Sequence, residues 1–389
     1  MFDASEQGFH PAASPSLCLN AMIHLPIWRA RAAAAEQSRR LPKSTFAELF
    51  AGGWLNLLSP QAPLTESGHW PTLVESARIA ARACASTGWM LALVGGHGCI
   101  ARRLSPTHQT HLYAEGPRQL FASASSSPDS KLCWEASGIR VNGRWRFSSG
   151  IEDAAWLILN APCPSHPQAL DIPRFLILIS AKEIECLTSW DSCGMAATGS
   201  HDVVTNQLLV AHDHVFSLQD VFSGQLSSFE TDYIDRQPLI PYLTTSIIGP
   251  LLGCAEGAYE AFVESLFGTP LAGDLRIHER LSHSAAQLYT ARLLYQALIT
   301  RLHNAGVEGR PLNDKQMLIL RRDRSYLSHL CVTTVRHLVE RAGASSLIAG
   351  NPLQRHWRDI QAIAAHRDVA WNEPMSACGA IVLDRISDD

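Results

Sequence analysis

The sequence predicts an α+β chain in three zones: helical, then β, then helical again. Two patterns carry that reading. Apolar residues recur at helical spacing up to about residue 115 and again after about residue 218, and short strand-like runs bounded by Gly, Pro, Asp and Asn stand between. Size supports it: 389 residues, 46% hydrophobic and 17% charged, suffice for a buried core in two or three domains or layers.

In the first zone, residues 29–39 are Ala-rich with few breakers, and Pro42 opens a segment that Gly52-Gly53 closes. Residues 73–94 keep helical spacing, with an expected interruption at Thr87-Gly88 and an end at Gly95-Gly96, just before His97. In the middle zone, Asn142-Gly143 supplies the two positive-φ positions of a type I′ hairpin turn. Residues 156–159, 175–179 and 203–210 read as strands of a compact antiparallel β domain. In the last zone Leu288, Ala291, Tyr295, Leu298 and Leu302 step by three and four, a seam facing other helices. Residues 314–343 place Leu327, Cys331, Val335 and Leu338 on one face, with Gly343 as the stop. Gly350-Asn351-Pro352 precedes a final helix expected over about 353–369. Domain boundaries are expected at 1–117, 118–217 and 218–389.

Several function classes fall away. A net charge of −4 offers no basic field to nucleic acid or an anionic membrane. No apolar run reaches the roughly 18 residues of a membrane span, and the polar, Ser/Ala-rich N-terminus has no secretory signal core. A cytoplasmic location is therefore expected. The ten cysteines form no CxxC pair and read as reduced, mostly buried thiols. His108-x-x-His111 and His212-x-His214 match no zinc spacing, and no metal site is expected. Walker A and Gly-x-Gly-x-x-Gly fingerprints are missing.

Some segments admit both a structural and a chemical reading. Trp145-Arg-Phe-Ser-Ser-Gly150 ends a strand in small hydroxyl residues, suited to hydrogen-bonding a planar heteroaromatic ligand or to an ordinary turn. Gly194 to Ser200, with Thr198-Gly199-Ser200 at its end, lets backbone approach a ligand. Ser123 to Ser127 is a third small polar stretch. His201-Asp202 is as weak a metal candidate as the paired histidines, while His97 and His366 are acid/base candidates or core and capping groups. Arg276 and Arg280 precede a helix expected near Leu281, where a guanidinium can hold a phosphate or make a surface ion pair.

Order and spacing join these pieces. Ala85-Ser-Thr-Gly-Trp89 leads to His97, then Val141 to Gly150, then Trp190-x-x-x-Gly194-Met195-x-x-Thr198-Gly-Ser200. Ala342-Gly-Ala-Ser-Ser-Leu347, Pro352 to Asp359 and His366 follow. From about Arg39 to Gly379 the chain resembles the acyl-CoA dehydrogenase superfamily, and within it the two-component (group D) flavin-dependent monooxygenases. The resemblance implies an N-terminal helical domain, a central antiparallel β-barrel-like domain and a C-terminal four-helix bundle, assembled as a homotetramer. It implies an oxygenase component that takes reduced FMN or FAD from a separate NAD(P)H-dependent flavin reductase by diffusion. It further implies that O2 reacts through a C4a-hydroperoxyflavin to hydroxylate an aromatic (phenolic or polycyclic) small molecule.

Site roles follow from the same resemblance. Ser148 and Ser149 match the hydroxyls beside the flavin ring, Ser148 the favoured one, with Phe147 against the ring and Trp89 lining the pocket. Arg280 matches a flavin-phosphate arginine in preference to Arg276. Ala344 and Ser345 match a contact reaching the flavin across a subunit interface. His366 and His97 match the active-site histidines. Ala196-Ala197 depart from the Arg-Gly that relatives commonly carry, and residues 272–279 depart too. The alternatives are an acyl-CoA dehydrogenase-type FAD desaturase with Glu373 as its base, N- or S-oxygenation by the same flavin chemistry, and a catalytically silent scaffold.

Overall fold

The computed structural model describes residues 8–62, 69–126, 130–164, 166, 173–223 and 232–387. The N-terminal residues 1–7 and Ser127, last of the serine stretch, lie outside them.

Five helices open the chain: α1 (Pro15–Ser38), α2 (Lys43–Ala51), α3 (His69–Ala83), α4 (Ala85–Arg102) and α5 (Pro106–Leu112). Pro42 caps α2 and Gly52 ends it, as the sequence predicts. The break between α3 and α4 falls at Cys84 (φ −152°), not at Thr87-Gly88, and α4 runs on through Gly95-Gly96 with His97 inside it. Gly88 serves contact here: a Cβ would collide with the Ala77 carbonyl and Ala81 of α3. Close approach of two helices thus offsets the helix cost of glycine, about 1 kcal/mol.

Nine strands follow among the described residues: β1 (Phe121–Ser123), β2 (Ser125–Ser126), β3 (Lys131–Glu135), β4 (Gly138–Ser148), β5 (Trp156–Pro162), β6 (Arg174–Ser180), β7 (Glu185–Leu187), β8 (His201–Val210) and β9 (Val215–Ser217). One sheet has the order β1-β5-β6-β9, the other β2-β4-β8-β7 with β3 added on β4. The expected antiparallel barrel is corrected on two counts. Among the described residues no ladder joins the sheets, and β1 pairs with β5 in parallel. Leu132, Val141, Trp145, Leu159, Ile177 and Val203 form the core of this part.

Asn142-Gly143 is not a hairpin turn. It lies inside β4, where the register against β8 shifts between Val141 and Gly143. Gly143 has φ +143°, and a Cβ there would collide with Ser130, so the glycine makes a bulge. The turn falls earlier, where Glu135 of β3 pairs with Gly138 of β4.

The last part comprises α6 (Leu218–Ser223), α7 (Leu239–Thr245), α8 (Ile248–Leu266), α9 (Leu275–Val307), α10 (Asp314–Ala342), α11 (Pro352–Ala364) and α12 (Asn372–Ser387). The seam residues Leu288, Ala291, Tyr295, Leu298 and Leu302 are buried on α9, which begins at its Asp274 cap, earlier than expected. Asn313 and Gln316 form a capping box at the start of α10. The expected helix over 353–369 ends at Ala364; a 3-10 turn, Arg367–Val369, and α12 follow. Residues 239–266 are long and apolar enough for a membrane span, yet are 78% buried in the most apolar window. Gly249, Gly253 and Gly257 explain this: a Cβ at each would meet the carbonyls of Val74, Arg78 and Arg82, so α8 lies directly on α3. First-zone and last-zone helices thereby share one core.

Candidate active site

The site begins where β4 ends. Phe147 is left-handed (φ +62°), a conformation costing a bulky residue about 1–2 kcal/mol. Asp202 of β8 helps hold it there: its Oδ1 accepts the Phe147 N–H at 3.3 Å while Oδ2 pairs with Arg144 at 2.5 Å. The register against β8 shifts between Trp145 and Ser148, and the Phe147 ring is left 57% exposed, edge-on to Trp190 at 6.2 Å. His201 orients that neighbour: its Nδ1 accepts the N–H groups of Ser189 and Trp190 at 3.2 and 3.1 Å. Gly150 (φ +72°) closes the bend against Met90 of α4, where a Cβ would collide with the Met90 methyl.

A chain of hydroxyls runs inward from there. Trp89 Nε1 of α4 donates to Ser149 Oγ at 3.2 Å. Ser149 bonds Ser200 at 2.8 Å, Ser200 bonds Thr198 at 2.6 Å, and Thr198 donates to the Met195 carbonyl at 2.8 Å. The 194–200 loop carrying them is pinned to α11. Met195 N–H donates to Asp359 Oδ1 at 2.6 Å, and Arg358 donates to the Cys193 carbonyl. Burial pushes the Asp359 carboxyl up to about 6. Beside the chain, Ser148 is fully buried and its Oγ has no hydrogen-bond partner. A buried hydroxyl without a partner is costly in water-free surroundings and uncommon.

His366 closes the group from the other side. It caps the 3-10 turn Arg367–Val369, its Nδ1 accepting the Asp368 N–H at 3.3 Å, with Asp368 Oδ2 3.5 Å away. That bond assigns the proton of the neutral ring to Nε2. The imidazole meets the Trp89 indole edge-on at 5.5 Å. Burial lowers its pKa foremost; Asp368 opposes this, and Arg367 and Arg324 reinforce it. His97 is different. Its Nδ1–H donates to the Phe121 carbonyl at 2.7 Å and Nε2 accepts from Ser123 Oγ at 3.1 Å. Burial brings its pKa down to about 4, so it is neutral at physiological pH with both nitrogens engaged.

Trp89, Ser149 and His366 are thus brought together, with Ser148 and Phe147 beside Ser149 in the chain. Arg280, Ala344 and Ser345 stand apart: no hydrogen bond or ion pair joins them to this group among the described residues. Arg280 is half-buried on α9 with its charge acting on His337 of α10, and Ala344 and Ser345 are exposed in the 3-10 turn Ala344–Leu347. Arg276 stands at the entrance of α9, as its second residue, folded back onto the Asp274 cap at 2.9 Å, whereas Arg280 lies a turn further into the helix. His111 and His214 lie 5.2 Å apart, and His212 stacks on Trp134, but no group of three His, Cys, Asp or Glu is placed for a metal among the described residues. Glu373 pairs with Arg321 at the surface, away from Ser148.

Sequence reasoning missed Asp368, which sits beside its neighbour His366, and the anchoring roles of Asp202 and Asp359. The last two hold site backbone through contacts remote in sequence, a signal that no spacing carries. Arg324 was missed as well, though it breaks the apolar stripe of Leu320, Leu327 and Cys331 on α10.

The chain is similar to known proteins along nearly its whole length. Residues 245–371 match the family model described as acyl-CoA dehydrogenase, C-terminal domain. The FADH(2)-dependent resorcinol hydroxylase, oxygenase component, of Rhizobium sp. (strain MTP-10005) is 27% identical over 92% of this chain and 91% of its own. The oxygenase subunit HsaA of a flavin-dependent monooxygenase from Rhodococcus jostii (strain RHA1) is 28% identical over 91% of this chain and 94% of its own. The crystal structure of the HsaA monooxygenase from M. tuberculosis superposes with a TM-score of 0.86 at 25% identity, covering 96% of this chain and 98% of that one. The chain has an acyl-CoA dehydrogenase-like fold, and these relatives, which it matches along nearly its whole length, are oxygenase components of flavin-dependent monooxygenases.

That class uses a flavin, and the residues here fit one. The Ser148 hydroxyl is uncommitted, the exposed Phe147 ring and the half-buried Trp190 ring offer apolar surface to a planar heterocycle, and the 194–200 loop presents backbone beside them.

Proposed function

We propose that this chain is the oxygenase component of a two-component monooxygenase that uses reduced FMN or FAD and O2 to hydroxylate an aromatic small molecule. One observation carries the reading: a single indole, Trp89, joins the Ser149–Ser200–Thr198 hydroxyl chain to the imidazole of His366. Bound reduced flavin supplies the activation of dioxygen and the transfer of one oxygen atom. The protein's own residues do the rest. Ser148 and Ser149 hydrogen-bond the edge of the flavin ring, and Phe147 and Trp89 shield its faces from water. His366, neutral with its proton on Nε2, would hold that N–H as a donor between the bound flavin and the guest. His97 holds the floor of the guest pocket through Phe121 and Ser123.

Further parts of the proposal concern assembly. Arg280, Ala344 and Ser345 serve the flavin phosphates and tail of a neighbouring subunit in a homotetramer. The exposed Tyr289, Leu293, Leu347 and Ile348 support such packing. Flavin reaches the site by diffusion from a separate NAD(P)H-dependent reductase, and the protein is cytoplasmic. The domains divide at 1–117, 118–217 and 218–389. A desaturase reading lacks its base, because Glu373 is an exposed surface partner of Arg321.

The test is a product screen with a generic flavin reductase under ¹⁸O2. One labelled oxygen atom in a hydroxylated phenol is the expected outcome. Flavin oxidation with no labelled organic product, across phenols, thioethers and amines and with both flavins, would remove the reading.

A further inference from the structure

Arg324 sits on the buried stripe of α10, between Leu320 and Leu327, where the helical spacing calls for an apolar residue. It is only 3% exposed. Its Nη1 donates to Thr244 Oγ1, and to Thr245 Oγ1 at 3.2 Å. Its Nε is buried without a partner, and among the described residues Nη2 makes no hydrogen bond. Among those residues no carboxylate stands within ion-pair distance. The nearby Asp368 is turned to His366 at 3.5 Å and Arg367 at 3.9 Å. An unpartnered buried Nε also occurs at Arg103 and Arg355, but two buried arginines are held at their remaining nitrogens by several acceptors. Arg78 is held by Glu75 and Glu256, and Arg103 by the carbonyls of Val221, Ile234 and Gln237.

A buried cation left without its counter-charge costs several kcal/mol, so a fold rarely keeps one idle. Burial draws the guanidinium down to about 10, which still leaves it charged at neutral pH. Its place joins the two histidines of the site. Thr244 follows Leu243, which lies against Gly96 beside His97, and the Arg324 charge acts on His366. The charged and titratable groups around it are Asp368, His366, Arg367 and Arg321, the last occupied by Glu373.

We propose that Arg324 is the oxyanion receptor of the substrate pocket, so that the aromatic guest binds with a phenolate or carboxylate oxygen on the free edge of this guanidinium. The inference rests on the oxygenase reading and specifies its substrate class. The guest's proton leaves to solvent on binding, and the His366 Nε2–H supplies a second donor to the same end of the pocket.

The test is anaerobic ligand titration of the full-length protein with reduced FMN, using p-nitrophenol, p-nitroanisole and phenylacetate. Wild type is expected to bind p-nitrophenol as its yellow anion at a pH where the free compound is largely colourless. Arg324→Gln should lose that colour and about tenfold or more in affinity. Its affinity for neutral p-nitroanisole should stay within about twofold, showing an intact pocket, and Arg324→Lys should recover part of the loss. Phenylacetate that displaces p-nitroanisole from wild type but not from Arg324→Gln assigns the oxyanion to a carboxylate; the colour assigns it to a phenolate. Equal losses for all three ligands, or none for any, would overturn the proposal. Failure of the ¹⁸O experiment is separate, since this titration needs no turnover.

Discussion

Two buried polar regions of this molecule are built on opposite plans. Beneath α3, α8 and α9, Arg78 uses all three guanidinium nitrogens. Nε and Nη2 bond Glu75 Oε1 at 3.1 and 2.5 Å, and Nη1 bonds Glu256 at 2.5 Å. Tyr295 donates to the other Glu75 oxygen at 2.8 Å, and Arg292 stands 3.6 Å from Glu256. Every charge there has an opposite within the core. Around Trp89 the plan is reversed: the Ser148 hydroxyl has no partner, and Arg324 keeps two of its three nitrogens unused. Saturated buried networks specify the packing of helices, whereas incomplete ones are completed from outside.

Substitutions separate the two plans. The largest effect is expected at the saturated one. Arg78→Met should cost about 3–5 kcal/mol by chemical denaturation, because it strands two buried carboxylates. An effect below about 1 kcal/mol would mean the network is not cooperative. Acid comes next. Burial holds His97 at about 4 and His356 at about 3, both below the ordinary value of 6.5. The unfolded chain takes up these protons first as pH falls. Stability should therefore be level above about pH 6.5 and decline from there towards pH 4, and His97→Gln should flatten part of that slope in thermal melts at successive pH values.

At the incomplete plan the expected effects move from stability to function. His366→Ala should lower hydroxylated product per reduced flavin consumed by about tenfold or more, the scale of a lost positioned donor, with flavin affinity nearly unchanged. Unaltered coupling would remove His366 from the site. The smallest stability change is expected for Ser148→Ala. With no intramolecular bond to lose, its unfolding free energy should stay within about 0.5 kcal/mol of wild type, while reduced-flavin binding weakens. A large loss of stability would mean that this hydroxyl has a partner in the folded chain.

The helical seams were legible because burial follows period: Leu288 to Leu302 and Leu327 to Leu338 point inward as their spacing requires. Glycine was the main source of error. Gly88, Gly95 and Gly143 were read as chain punctuation, yet each serves a close approach of neighbours distant in sequence. The resemblance supplied Trp89, Ser149 and His366, and the fold brings those three together. Asp202, Asp359 and Arg324 escaped because their partners lie 55, 164 and 80 residues away.

Helix α4 carries both Trp89 and His97 without interruption. Eight residues of continuous helix set them about 12 Å apart along its axis. The distance between the indole and the imidazole is therefore fixed by main-chain geometry, a ruler that no side-chain rearrangement around them can alter.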